Sequence, residues 1–403
     1  MRHNAIKPDE AMTAAVRRVA AVAAAHAADV DREARFPAEA VQALREEGLL
    51  GALVPHHLGG GGATMTEATG HCQILARACA STAMIYAMHH SQLACIVMHA
   101  LDAPWHRAFA QRIAEEGLLL ASITSEVGVG GDMRSSICAV EVSGDRFTLE
   151  KQAPTVSYGD HADVFLVTAR VNCDAPASDQ VLVVVPRAQA TYEATGGWDA
   201  LGMRGTGTVG FTFRSGGAAE QIIPAPFADI AAEAMVPASH LLWSGVWTGI
   251  AVEALTRARQ FLRAQARRQP GVAQPGAARL MHAAGLLDAM QARIRLLLAQ
   301  FDATHALGSD RPVMTEAESG WPQGMARAGV LNMLKRDVSE QCHEVVLEAL
   351  RICGMAGYKN GTDFSIGRHL RDILSAQLMI NNDRIAATTG TMLLAQRADL
   401  GTL

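Results

Sequence analysis

The apolar positions of this chain change period twice. From Asp9 to Val30, Ala, Val and Met recur at spacings of three and four, which predicts an amphipathic helix. Phe36-Pro37-Ala38-Glu39 opens a second helix, because Pro37 suits a first turn and Glu39 the positive N-terminal end. That helix ends near Gly48. Beyond Leu49–Leu53 and Pro55, the run Gly59-Gly60-Gly61-Gly62 predicts a flexible turn. Thr66 then caps a helix over Glu67–Ala80, and Ser81-Thr82 starts another that reaches His99. From 119 to 225 short apolar or alternating runs take over: Leu118–Ile123, Ala139–Val142, Val164–Ala169, Val181–Val185 and Thr208–Phe213. Gly, Pro, Asn and Asp separate them, the pattern of short strands. Ser143-Gly144-Asp145 predicts a hairpin turn. Helical spacing returns in His240–Arg268, Ala277–Leu307, Ala326–Met355 and Asp372–Ala398, with a break over Gln269–Gly276. Four long helices predict a bundle. The expected fold is mainly α with a central β-domain. Its parts are an N-terminal helical domain (1–118), a middle β-domain (119–230) and a C-terminal four-helix bundle (231–403).

Composition narrows the class. At 403 residues, 49% apolar but only 5% aromatic, the chain suits helices that pack closely through small side chains. The net charge of −5 is interspersed, so nucleic acid is not an expected partner, and no apolar run is long enough to span a bilayer. No apolar core follows the first residues, so a secretory signal is not expected. The seven cysteines form no CxxC pair and read as buried free thiols in a reducing, cytoplasmic compartment. The fifteen histidines include no HxxxH or HExxH spacing, so His89, His90 and His99 read as packed or capping residues and no metal is expected.

Four segments carry candidate chemistry. In Ser122-Ile123-Thr124-Ser125-Glu126-Val127-Gly128-Val129-Gly130-Gly131-Asp132, the glycines let backbone amides approach a flat ligand; the alternative is a glycine-rich loop with no ligand. The second segment, from Lys151 to Asp163, contains Thr155-Val156-Ser157. The third is Gly202-Met203-Arg204-Gly205-Thr206-Gly207-Thr208, where the five donors of Arg204 can tie loop carbonyls together. The fourth, Arg351 to Arg384, holds Gly354, Gly357, Tyr358 and the pair Arg371-Asp372.

In this order, and over essentially the whole chain, the segments resemble the acyl-CoA dehydrogenase flavoproteins. The resemblance implies a β-barrel-like middle domain and bound FAD. Thr124, Ser125, Gly130 and Gly131 would lie along the flavin, with Thr155 and Ser157 at its inner face and Ser157 donating to N5. Arg268, Gly354 and Gly357 would serve the adenosine half. It also implies a homotetramer or homodimer, an acyl-CoA or other acyl thioester as substrate, and an electron-transfer partner or flavin reductase.

The departures fall on the substrate side. Val127 replaces a Pro, Gly131 replaces a Ser, the family's Trp before Ser157 is absent, and the stretch from Pro226 to Gly249 is short. Ile380 stands eight residues after Asp372, where the family has its catalytic glutamate, and Ser239 stands at the alternative position. His240 and Asp383 are the candidate catalytic residues in their place. The family activity, oxidation of an acyl thioester at its α,β-carbons, comes first. A flavin-dependent monooxygenase and a member without turnover are the alternatives.

Overall fold

The computed structural model describes residues 10–307 and 312–395. They fall into two compact units, one built by the chain up to Gly249, the other by Ile250–His305 and the segment from Pro312. Among the described residues no helix is long and apolar enough to cross a membrane.

The first unit begins with α1 (Glu10–Glu33), α2 (Ala38–Glu46), α3 (Met65–Ala78), α4 (Ala80–His99) and α5 (Pro104–Glu116). α1 buries Val16, Val19, Ala23, Ala27 and Val30, the stripe its spacing predicts. α4 is buried nearly all round, which makes it the centre of this unit. Two details differ from the sequence reading. The cap of α3 is Thr64, not Thr66: its hydroxyl accepts from Glu67 N while the Glu67 carboxylate accepts from Thr64 N, a closed capping box. The glycine run is not a flexible turn. A Cβ on Gly60 would sit 2.1 Å from Val54 O, and one on Gly61 2.6 Å from Met12 Cε.

The β segment comprises β1 (Leu120–Ile123), β2 (Glu141–Ser143), β3 (Arg146–Val156), β4 (Val164–Arg170), β5 (Gln180–Pro186), β6 (Ala190–Thr195) and β7 (Val209–Ala218). They form two sheets, ordered β1-β4-β5 and β2-β3-β7-β6, in which only β1 and β4 run parallel. Phe165 of the first sheet meets Phe213 and Tyr192 of the second, at ring distances of 5.2 and 5.9 Å. The hairpin forms where expected: Ser143 faces Arg146 across Gly144-Asp145, with Gly144 at φ 62°. β3 and β6 escaped the sequence reading. β3 alternates well, but one of its inward positions is Lys151, which interrupts the apolar period. β6 is a mostly exposed edge strand.

A short helix α6 (Phe227–Ile230) and a π-helical turn (Ala231–Met235) lead into α7 (Val236–Arg268), which carries the chain from the first unit to the second. Within the first unit α7 lies so close to α3 that Cβ atoms on Gly245 and Gly249 would come 2.5 Å from Thr69 O and 2.6 Å from Gln73 O.

The second unit continues with α8 (Ala277–Thr304), α9 (Glu316–Ser319), α10 (Gly324–Cys353), α11 (Met355–Tyr358), α12 (Gly367–Leu378) and α13 (Asn382–Ala395). α10 is its axis, packing against α8, α12 and α13 through Leu331, Leu334, Val338, Cys342 and Val345. The single helix expected over Asp372–Ala398 is two. It breaks after Leu378, Ile380 takes φ 49°, and the Asn381 side chain accepts from Asp383 N (2.9 Å) and Arg384 N (3.2 Å), starting α13 afresh. Positions 396–398 lie outside the described residues. Apolar residues on both sides of the break keep a helical period and hid it; Asn381-Asn382-Asp383, a run of capping residues, was the available signal.

Candidate active site

The hydroxyls picked out in the sequence gather at one end of the two sheets. β1 runs into the glycine loop, where Ser122 Oγ and Thr124 Oγ1 lie 3.2 Å apart. Ser125 Oγ donates to Thr155 O (2.8 Å) and accepts from Thr155 Oγ1 (3.1 Å), while Val127 N donates to Gln152 O (3.0 Å). The loop is thereby laid along the end of β3. There the β3–β7 register shifts between Ala153 and Val156, a bulge that accommodates Pro154 and re-aims Thr155. Beyond it, Ser157 Oγ pairs with Thr208 Oγ1 (2.9 Å), which pairs with Thr206 Oγ1 (3.0 Å). Tyr158, at φ 44°, turns the chain away and anchors its hydroxyl on Leu120 O (2.9 Å).

Ser125, Ser157 and Thr208 are half-buried and Thr155 is exposed. Gly128, Gly130 and Gly131 all hold positive φ (93°, 62° and 76°), a conformation that L side chains resist. The edge therefore offers hydroxyl donors beside a glycine turn. That donor set fits the carbonyl and N5 acceptors of a flavin ring.

Arg204 ties the third segment as its five donors suggested, donating to Asp31 O and Ala200 O (both 2.7 Å) and pairing with Asp199. His89 and His90 are packed residues, donating to Leu50 O (2.7 Å) and Leu49 O (3.1 Å). Six cysteines are buried, but Cys173 is exposed.

The remaining candidates are divided between the units, and His240 alone of them shares the first with the hydroxyls. His240 lies in the first unit, 2% exposed, one turn into α7 and edge-on to Trp243 at 6.1 Å. Asp383 lies in the second unit, exposed in the first turn of α13, where an acid suits the helix dipole. Arg268 is exposed in the last turn of α7, and Gly354 is exposed at φ 55°. Gly357 answers to its own chain: a Cβ there would come 2.6 Å from Cys353 Cβ.

Ile380 is held from below. The fully buried Lys335 of α10 donates to Ile380 O (2.8 Å) and Asn382 Oδ1 (2.7 Å), and Asn382 Nδ2 donates to Ser339 Oγ (3.0 Å). Burial pushes the Lys335 ammonium down to about 8, against an upward pull from Glu340. The helix break that sets Ile380 thus rests on a cation.

The sequence reading assigned no part to Thr208 or to a buried ion pair. Glu126 and Lys151 meet at 3.6 Å with almost no exposure of either side chain. Lys151 Nζ also donates to Thr168 O (2.7 Å) and Thr168 Oγ1 (2.8 Å). Glu126 accepts from Ser136 Oγ (2.7 Å), Ile137 N (3.1 Å) and Cys138 N (2.6 Å). Burial pushes the Lys151 ammonium down and Glu126 opposes the shift. A Lys at an inward strand position was the signal for this pair.

Helices, then two sheets, then helices again is an architecture that this chain shares with proteins solved in complex with FMN. Residues 7–104 match the family model described as acyl-CoA dehydrogenase, N-terminal domain. Over 391 residues the chain is 24% identical to the probable acyl-CoA dehydrogenase FadE25 of Mycobacterium tuberculosis, covering 93% of this chain and 92% of that protein. The amino sugar nitrososynthase DnmZ of Streptomyces peucetius is 26% identical over 363 residues, 88% of this chain and 85% of DnmZ. Among solved structures, the dibenzothiophene monooxygenase TdsC of Paenibacillus sp. A11-2, in complex with FMN and indole, superimposes with a TM-score of 0.81 at 20% identity. That likeness, over 98% of this chain and 99% of TdsC, is one of fold. Residues 7–104 thus carry the N-terminal domain of the acyl-CoA dehydrogenase family, and nearly the whole chain is similar to a probable member of it.

Proposed function

We propose that this protein is a flavin-dependent monooxygenase acting on a small amine or sulfide. One observation supports the reading: Ile380, which the resemblance sets at the position of the family's catalytic glutamate, sits in a helix break held by Lys335. Removal of an α-proton from a thioester needs a carboxylate within hydrogen-bond reach. Ile380 has none to offer, and Asp383 stands exposed in the first turn of α13. Bound reduced flavin would supply the electrons for dioxygen activation, one oxygen atom going to the substrate and the other to water. In this reading Ser125, Thr155 and Ser157 orient the ring, with Thr124, Gly130 and Gly131 along its edge, and with an amine substrate the buried imidazole of His240 takes up the proton that the nitrogen loses as its N–O bond forms. The names of DnmZ and TdsC supply the substrate class.

Acyl-thioester oxidation is the second reading. It is favoured by the nearly full-length likeness to FadE25 and would require Asp383 or His240 as base. Both readings keep the three-part layout at 118 and 230, an NAD(P)H-linked flavin reductase or another electron-transfer partner, a homodimer or homotetramer, and a cytoplasmic setting. FAD rests on Arg268, Gly354 and Gly357 in the adenosine role, whereas the TdsC complex holds FMN. Identifying the flavin that copurifies, or that rescues activity, settles the form.

The test feeds the protein reduced flavin from a reductase and measures oxygen uptake with a panel of amines and sulfides. Substrate-dependent oxygen uptake with an oxygenated product supports the first reading. Anaerobic bleaching of bound flavin by an acyl-CoA overturns it in favour of the second. His240→Ala is expected to lower turnover about 100-fold and Asp383→Asn to leave it unchanged. Full turnover in His240→Ala removes that residue's role.

A further inference from the structure

The glycine turn that the proposed flavin lies against belongs to no helix or strand, and its own bonds are the short turns Asp132 N to Val129 O and Ser135 N to Asp132 O (both 3.1 Å). What closes it is the Glu126–Lys151 pair. Glu126 stands at the near end of the loop, and its carboxylate gathers the hydroxyl of Ser136 and the amides of Ile137 and Cys138 at the far end. The segment 127–135 is thus the arc of a ring fastened at one carboxylate. The fastening is tied to the sheets, because Lys151 projects inward from β3 and its ammonium joins Glu126 to Thr168 on β4. Two further bonds brace the arc: Val127 N to Gln152 O at the near end and Gln180 Nε2 to Met133 O towards the far end.

A buried ion pair is a poor stabiliser, since desolvation offsets most of its attraction, and apolar residues of similar volume often serve stability better. Such a pair is better suited to specifying one conformation. Here the conformation specified is that of exposed backbone with Gly128, Gly130 and Gly131 at positive φ, while Glu126 and Lys151 are themselves sealed away from the edge where the hydroxyls open.

We propose that Glu126 and Lys151 are positioning residues for the flavin: they hold segment 127–135 in the arc along which the ring would lie, without reaching the ring themselves. The inference rests on the flavin reading but concerns residues that the reading does not use.

The experiment has two arms, on wild type, Glu126→Gln, Lys151→Met and the milder Ser136→Ala. The first measures hydrogen exchange at the amides of 127–135 in the apoprotein. The second titrates each protein with FMN and with FAD by fluorescence quenching, beside the thermal midpoint of the apoprotein. Exchange over 127–135 is expected to quicken at least about tenfold in Glu126→Gln and detectably in Ser136→Ala, with other strands unchanged. Flavin affinity is expected to fall about tenfold or more in Glu126→Gln and Lys151→Met. If a single substitution at 126 or 151 prevents folding, Ser136→Ala carries the test. Faster exchange throughout the β-sheets, or a lowered midpoint with unchanged flavin affinity and unchanged exchange in the arc, makes the pair merely structural and overturns the proposal. If the wild type binds neither flavin, the flavin reading and the positioning role both fall. If the wild type binds and the variants bind equally, only the positioning role falls.

Discussion

Single side chains in this protein do unusual duties that follow from where the backbone puts them. Gly60 is one case: its α-carbon faces Val54 O so closely that a methyl group would lie 2.1 Å from that oxygen. Because the obstacle is backbone, it cannot rotate away. Gly60→Ala is expected to lower the unfolding free energy by about 2–3 kcal/mol, measured by urea denaturation; a loss below about 0.5 kcal/mol contradicts the close approach. Ser157 is the opposite case, half-buried at an open edge and bonded only to Thr208 among the hydrogen bonds described. Ser157→Ala is expected to weaken flavin binding about tenfold while leaving the thermal midpoint nearly unmoved. The glycine, serine and threonine positions were visible in the sequence. Their duties were not, because a φ angle or a neighbouring carbonyl 6 residues away in sequence leaves no trace in local composition.

Elements are joined here by buried polar contacts as much as by apolar faces. His89 of α4 is the clearest. Its Nε2 donates to Leu50 O (2.7 Å) and its Nδ1 accepts from Leu120 N (3.0 Å), so one neutral tautomer ties α4 both to the turn before Pro55 and to the start of β1. Burial pushes this imidazole down to about 4 from 6.5. Because the folded value is the lower one, the unfolded chain binds the extra proton between those limits. Stability is therefore complete above pH 6.5 and falls as pH drops towards 4, by up to about 1.4 kcal/mol per pH unit from this group. His90 and His369, also depressed by burial, act in the same direction. Urea midpoints are expected to fall steeply from pH 7 to pH 5, and less steeply in His89→Gln; equal slopes refute the assignment. At this scale the amphipathic helices were legible, since a stripe at three and four residues is local information. The break at Ile380 and strands β3 and β6 were not. An apolar period continued through the first, a buried lysine interrupted the second, and the third is an exposed edge.

At the scale of the whole molecule, the hydroxyl edge and the glycine arc belong to the first unit and the helix break with Ile380 to the second. A flavin that binds only the folded protein must stabilise it by mass action. At a hundredfold excess over its dissociation constant the gain is about 2.7 kcal/mol. Thermal midpoints are therefore expected to rise with added FMN or FAD, and in Ser157→Ala the rise is expected to need more flavin. A midpoint indifferent to both flavins contradicts binding at this edge.

The sequence by itself determined the order of helix, strand and helix, the hairpin at Ser143-Gly144-Asp145, and the family resemblance with its missing glutamate. Each of these is carried by residues near one another in the chain. Only the tertiary structure decided that Thr208 completes the hydroxyl row with Ser157, that Glu126 and Lys151 close the glycine arc, and that Lys335 underpins Ile380. Those partners lie 51, 25 and 45 residues apart. Buried polar groups find such partners through the packing of whole elements, which no local period records.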